Sequence, residues 1–227
     1  MLRNEALEIL NASRKTGWVL EPEAKRLLFL EGFQIPKFTW ARNREDAMIF
    51  ARGLGGYPVV AKVVSPRIIH KSDVGGVATD IANDAQLGAA FSRFSRMDGF
   101  EGVIVEERVT GVELIVGATF DYQFGPVILL GFGGTSVEIY KDTALRLAPL
   151  GPKDALSMVK QLKAHPLLEG YRGSEPVNME ELVALLTGFS RLILDMEELV
   201  ESVDLNPVVC ARDRCIIADA RIMLPKS

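Results

Sequence analysis

Cysteine is almost missing from this 227-residue chain, which has only Cys210 and Cys215. Two cysteines exclude a disulfide framework, and no neighbouring histidine completes a zinc ligand set. They flank Ala211-Arg212-Asp213-Arg214, a spacing that sets them opposite each other across a hairpin. In a reducing compartment they read as two small apolar strand residues rather than a bonded pair. A basic excess is also lacking. The net charge of −4 and pI near 5.4 exclude a general nucleic-acid or anionic-membrane surface, so anion binding must come from local arrangements. No apolar run is long enough for a membrane span. The opening MLRNEALEIL is a charged amphipathic helix start rather than an apolar leader, so a cytoplasmic protein is expected. Internal repeats, low-complexity tracts and an obvious flexible linker are missing too. Histidine is scarce, with only His70 and His165.

The remainder is ordinary globular sequence, 48% hydrophobic and 25% charged, long enough for one large domain or one domain of two lobes. Leu2, Ala6, Ile9 and Leu10 recur at helical spacing ahead of Gly17. Pro22 sits where a second helix starts, with Ala24, Leu27 and Leu28 as its buried stripe. Asn43 and Asn83 look like N-caps, the first before Ala47, Phe50, Ala51 and Leu54, the second before Leu87, Ala90, Phe91 and Phe94. Strands are expected at Pro58 to Val64, Gly102 to Val109, Val112 to Phe120, Pro126 to Leu130 and Val137 to Leu147. Helices follow near 153–163 and, after Asn178, near 179–196. The chain closes on a hairpin of Val203 to Cys210 and Cys215 to Met223. Helices and strands mix without strict alternation, which predicts an α+β architecture. The composition shifts near residue 105, dividing a first lobe (1–105, with the N-terminal helices) from a sheet-rich second lobe (106–227).

The stretch KVVSPRIIHKSDVGGV, Lys62 to Val77, carries the first chemistry. Lys62 shares a strand face with Val60 and Val64, so it must snorkel to an edge or meet a negative partner. The loop closes on Gly75-Gly76, offering backbone N–H groups to phosphate oxygens, although it lacks the G-x-x-x-x-G-K-[ST] pattern. His70 lies among Lys71, Ser72 and Asp73, polar neighbours that suit an exposed imidazole and a phosphoryl acceptor. His165, in AHPLLEGYRG, is read as structural. Glu106-Glu107 ends an apolar strand, with Gly111 and Glu113 just beyond, where carboxylates and backbone groups can receive a purine amine and ribose hydroxyls; an exposed charged turn would look the same. Asn206 and Asp219 sit in facing apolar strands as hard oxygen ligands suited to Mg²⁺. In GFGGTSVEIYKDTALRLAPL, Arg146 follows Glu138, Lys141 and Asp142 and has the chemistry to bridge phosphates, a solvated edge strand being the competing account.

Lysine strand, glycine loop, acidic hinge, glycine turn with arginine, then Asn and Asp on a last hairpin: in that order the chain resembles an ATP-grasp nucleotide-binding domain. More closely, it resembles the β subunit of the NDP-forming, usually ADP-forming, acyl-CoA synthetases such as acetyl-CoA synthetase, relatives of succinyl-CoA synthetase. YPVVAKVVSPRIIHKSDVGGV, PVILLGFGGTSVEIYKD, RLAPL, LLEGYRG, DLNPVV and ADARI carry the likeness over essentially the whole chain. The resemblance implies two α+β lobes with ATP or ADP held between them. It implies phosphate contacts from Lys62, a hinge of Glu106, Glu107, Val109 and Glu113 around adenine and ribose, Mg²⁺ on Asn206 and Asp219, and Arg146 facing the phosphates. His70 matches the family's β-subunit histidine, proposed as a second phosphoryl carrier. No G-x-G-x-x-G start of a CoA-binding domain is present, so the resemblance implies a separate α subunit carrying that domain and the primary phosphohistidine, in an α2β2 assembly. A stand-alone ATP-grasp carboxylate ligase and a non-catalytic nucleotide-binding module are the competing readings.

Overall fold

In the computed structural model residues 1–133 and 142–225 are described. In chain order the elements are α1 (Asn4–Ser13), β1 (Trp18–Val19), α2 (Glu21–Leu30), β2 (Phe38–Ala41), α3 (Arg44–Gly53), β3 (Val59–Val64), β4 (Val77–Ile81) and α4 (Asp84–Phe94). They continue with β5 (Gly102–Glu107), β6 (Val112–Asp121), β7 (Gly125–Phe132), β8 (Thr143–Leu147), α5 (Pro152–Gln161), α6 (Met179–Asp195), β9 (Ser202–Cys210), β10 (Cys215–Ile217) and β11 (Ala220–Met223). The expected strand from Val137 begins outside the described residues, with Glu138 and Lys141; its described part is β8. Among the described residues no helix is long and apolar enough to cross a membrane.

The chain divides into two compact units. The larger holds residues 1–19, 23–35 and 110–227, the smaller 20–22 and 36–109. The break after Val109 falls near the composition shift, but the expected division needs correcting. Residues 1–19 and 23–35 belong with the second lobe, because the stripes Ala6, Ile9, Leu10 and Ala24, Leu27, Leu28 are buried in one core with Leu114, Val116 and Ile128.

In the larger unit the strands run β1-β11-β9-β6-β7-β8, with β10 on β9, every pair antiparallel. Side chains alternate across the pleat. Leu114, Val116 and Ala118 of β6 are buried, and so are Ile128 and Leu130 opposite them on β7, while Glu113 and Thr119 stay exposed. The inward residues meet α6, which buries Leu182, Leu185, Leu186, Phe189, Leu192 and Ile193. Each such side chain contributes about 1.5–3 kcal/mol. Asn178 caps α6 by accepting the Glu181 N–H at 3.1 Å.

The smaller unit is a four-stranded antiparallel sheet, β2-β5-β3-β4, covered on one face by α3 and α4. Val59, Ala61, Val63, Val103 and Val105 pack against Ala47, Ala51, Leu87, Phe91 and Phe94. Both caps form as expected: Asn43 accepts the Asp46 N–H at 2.9 Å and Asn83 the Gln86 N–H at 3.0 Å.

Three further details depart from expectation. β1 and β2 were too short for a periodic signal. The last strand divides into β10 and β11. Cys210 and Cys215, in register across β9 and β10 with Cα atoms 4.2 Å apart, are joined as a disulfide rather than left as separate thiols.

Asp84, at the start of α4, receives hydrogen bonds from Arg52 of α3 and from the Tyr57 hydroxyl. The Arg52 hydrogen bond, then that of Tyr57, holds its carboxyl below the usual range. Burial, then the bond to Asp84, pushes the Tyr57 hydroxyl up to about 12. A depressed carboxylate stabilises the fold above its unfolded pKa of about 3.9, and that contribution is lost as pH falls through the lower folded value. Asp84→Asn should therefore lower the melting temperature at pH 7, with the difference from the parent closing as melts are carried into acid.

Candidate functional site

On the smaller sheet, alternation puts Val60 and Lys62 of β3 and Ile104 and Glu106 of β5 on the face away from α3 and α4. Lys62 pairs with Ile104 and Val60 with Glu106, so the lysine and the glutamate are diagonal neighbours. The Lys62 ammonium lies 3.0 Å from Glu106 Oε1 and 2.9 Å from Oε1 of Glu21. The other Glu21 oxygen is 2.7 Å from the Lys71 ammonium. Relative exposure is 5% for Lys62, 2% for Glu106, 1% for Glu21 and 8% for Lys71, so these charges are held by one another rather than by water. Of the two fates open to Lys62, the structure takes the negative partner. Glu21 escaped the sequence reading; its signal was a carboxylate immediately before Pro22, in the apolar run entering α2.

The loop after β3 is tied down locally. Ser65 Oγ donates to the Asp98 carbonyl at 2.7 Å and accepts the Arg67 N–H at 3.0 Å. A single 3₁₀ turn, Ser72–Val74, ends at Gly75, whose φ of 68° suits a residue without a Cβ. The Gly75 N–H donates to the Ser72 carbonyl at 3.1 Å and the Gly76 N–H to the Lys71 carbonyl at 2.7 Å. This corrects the expected phosphate cradle, because both glycine amides are engaged within the loop and the glycines act by shaping it. Gly76 is obligatory on space, since a Cβ there would meet Val63 Cγ1 at 2.6 Å. His70 is exposed while its neighbour Lys71 is buried, so the loop sends successive side chains to opposite sides.

The other residues expected around adenine and ribose behave differently from Glu106. The Glu107 carboxylate accepts the Lys37 N–H at 3.0 Å, and Val109 is half-buried where the smaller unit ends. Glu113, in the larger unit, is exposed and its carbonyl accepts the Gly133 N–H at 2.7 Å. On that unit's sheet Asp204 and Asn206 alternate with buried Val203 and Leu205, on the same face as Glu113. The Asn206 N–H donates to the Asp219 carbonyl at 3.2 Å, and one step along the ladder Arg221 donates to Asp204 at 2.8 Å. The backbones of the two residues that the sequence singled out are thus neighbours. Two hard oxygen donors fit Mg²⁺, which keeps most of its shell for water and phosphate; among the described residues no cluster of three or more acidic, His or Cys groups offers a protein cage.

Arg146 departs from its expected place. On β8 it alternates with exposed Leu145 and Leu147 and shares the face of buried Ala144, the side packed by helices. Its guanidinium donates to the Leu145 carbonyl at 2.7 Å and to Ser157 Oγ of α5 at 3.1 Å. It lines an open groove of about 560 Å³ with Lys153, Leu156, Lys160 and Gln161. The two-residue period therefore separates Arg146 from Glu113, Asp204 and Asn206 by the thickness of the sheet. His165 Nδ1 lies 2.9 Å from the Leu162 carbonyl.

The sequence profile of the ATP-grasp domain matches residues 11–224. The chain belongs to the ATP-grasp domain family. It is 44% identical over 229 residues to the acetate–CoA ligase [ADP-forming] I subunit beta of Pyrococcus furiosus, covering 97% of this chain and 98% of that one. Among solved structures, the acetyl-coenzyme A synthetase 1 of Candidatus Korarchaeum cryptofilum in complex with coenzyme A and Ca-AMPCP superposes with a TM-score of 0.90 at 37% identity, over 97% of this chain and 100% of that one. The same enzyme with coenzyme A and Mg-AMPPCP, its phosphohistidine segment pointing towards the nucleotide-binding site, superposes at 0.84 with 36% identity over 97% and 100% of the two chains. The ATP-grasp fold expected from the sequence is the fold observed.

Removing Lys62 leaves buried carboxylates short of a cation. Lys62→Met should cost about 3–5 kcal/mol in denaturant unfolding, and Gly76→Ala about 1–3 kcal/mol through the crowding of Val63.

Proposed function

We propose that this chain is the nucleotide-binding β subunit of an ADP-forming acyl-CoA synthetase. With a partner α subunit it interconverts acyl-CoA, ADP and phosphate with carboxylate, ATP and CoA. The observation that carries this reading is the match to a relative named as such a β subunit along nearly the full length of both chains. The loop supports it, by placing exposed His70 directly beside Lys71 and its ion pair with Glu21.

Phosphoryl transfer asks a protein mainly for positioning and charge neutralisation. Lys62 would hold the nucleotide phosphates, and Glu106, Glu107, Val109 and Glu113 would line the adenine and ribose. Asn206 and Asp219 would hold Mg²⁺, which when bound neutralises charge on the phosphate oxygens. His70 would take the phosphoryl group from the partner's phosphohistidine: a nitrogen–phosphorus bond forms at His70 as the one on the partner breaks. The terminal phosphate oxygen of ADP then attacks that phosphorus, the bond to His70 breaks, and ATP leaves. The partner would carry the CoA-binding domain and the primary phosphohistidine, in an α2β2 complex in the cytoplasm.

The test reconstitutes the chain with its partner. Acyl-CoA-dependent ATP formation from ADP and phosphate is the expected activity. With ATP and Mg²⁺, His70→Ala should lose nucleotide-dependent phosphorylation of the partner. Retention of that labelling at the parent rate would exclude His70 and leave direct transfer to the nucleotide.

A further inference from the structure

Glu21 is nearly sealed from solvent at 1% exposure, and its two oxygens serve two cations from separate segments. Oε1 is 2.9 Å from Lys62 Nζ on β3, and Oε2 is 2.7 Å from Lys71 Nζ in the loop. A carboxylate bridging two ammonium groups presents them with the pattern that two oxygens of one phosphate group would present. The pairing also keeps Lys71 beside the base of the His70 loop, where the Gly76 N–H fixes the Lys71 carbonyl at 2.7 Å.

We infer that Glu21 is a positioning residue that stands in for nucleotide phosphate, and that Lys71 is a second phosphate contact beside Lys62. In the absence of nucleotide, Glu21 holds both lysines in order and converged on one point, Lys62 being shared with Glu106. When a nucleotide binds, its phosphate oxygens compete with Glu21 for the same two ammonium groups. The carboxylate therefore weakens binding and hastens release, while preserving the geometry the phosphates need. This rests on the assignment of Lys62 to nucleotide phosphates in the proposed function.

The competition makes two substitutions in one ion pair act with opposite signs. Glu21→Gln keeps the side-chain shape but removes the negative charge, so the affinity of the reconstituted complex for Mg-ADP should rise about tenfold while kcat falls as release slows. Lys71→Met removes a phosphate contact, so affinity should fall about tenfold. Glu21→Asp keeps the charge and should stay close to the parent affinity. A purely structural ion pair would lower the melting temperature of both neutralised variants and shift both affinities the same way.

Calorimetric titration of Mg-ADP into the complex, with melting temperatures measured alongside, reads all of these. Tighter binding by Glu21→Gln with weaker binding by Lys71→Met supports the inference. Shifts in the same direction, or no shift in folded Glu21→Gln, overturn it. Should Glu21→Gln not fold, an unchanged affinity in Lys71→Met overturns it and a tenfold loss there, with Glu21→Asp unchanged, supports it. No Mg-ADP binding by the parent complex would instead overturn the proposed function.

Discussion

A lysine on the face of a strand, shut away from water, must be given a negative partner, and the smaller unit is arranged around that requirement for Lys62. Its neighbours across the ladder are apolar on both sides, Ile104 on β5 and Val77 on β4. The sheet therefore supplies Glu106 on the diagonal, and the three-residue segment Leu20–Pro22 brings Glu21. Both carboxylates are sealed as deeply as the lysine, so the group is stable only as a set. Losing one member leaves the buried charges around it out of balance, which costs more than the intact set gains. Such a group is a poor source of net stability. It suits a site where cations must be kept in place for an anion that comes and goes.

What could be read from the chain follows from which signals are local. The caps Asn43 and Asn83, the helix start at Asn178 and the helical stripes were legible, because each is decided within a turn or two of its own residues. That Lys62 must either snorkel to an edge or meet a negative partner was legible from the valines around it. The identity of Glu21 was not, because 41 residues separate it from Lys62 and only the fold brings them together. The same holds for α1 and α2: their buried faces were evident, but a stripe does not say which sheet covers it. β1, two residues long, carries no period at all. The likeness to the ATP-grasp family supplied roles that spacing alone left open. It also carried Arg146 to a place that the strand period assigns to the helix-packed face.

That period organises the larger unit's chemistry. Along β11 and the first half of β9, buried Val203, Leu205, Ala220 and Ile222 alternate with Asp204, Asn206 and Arg221, which stand on the other face with Glu113 of β6. One antiparallel sheet thus separates a core from a polar surface, with a register shift between β6 and β9 opposite Asn206 and Pro207. Asp204 and Arg221 satisfy each other at 2.8 Å, which orders the ladder beside Asn206 and Asp219. A cation with few protein ligands depends on such neighbours, because two donors define a position only when their backbones are fixed. Here Asn206 lies on β9, which pairs with both β6 and β11, and Asp219 lies in the break between β10 and β11, its carbonyl accepting the Asn206 N–H.

The loop of His70 shows the same economy on the opposite principle. Its glycine amides face inward, onto the carbonyls of Ser72 and Lys71, and the Gly76 carbonyl accepts the Val63 N–H at 2.8 Å. A loop that satisfies its own backbone needs no ligand to hold its shape. The exposed imidazole therefore stands on a base already tied to β3, the strand that carries Lys62. Adjacent residues then take divergent tasks: Lys71 turns in to Glu21 and His70 turns out to solvent. Transfer between an imidazole and a nucleotide depends chiefly on placing the reacting atoms, because the protein has little covalent chemistry of its own to contribute. In the proposed function, such a loop limits the freedom at the base of His70 that would otherwise be multiplied at its ring.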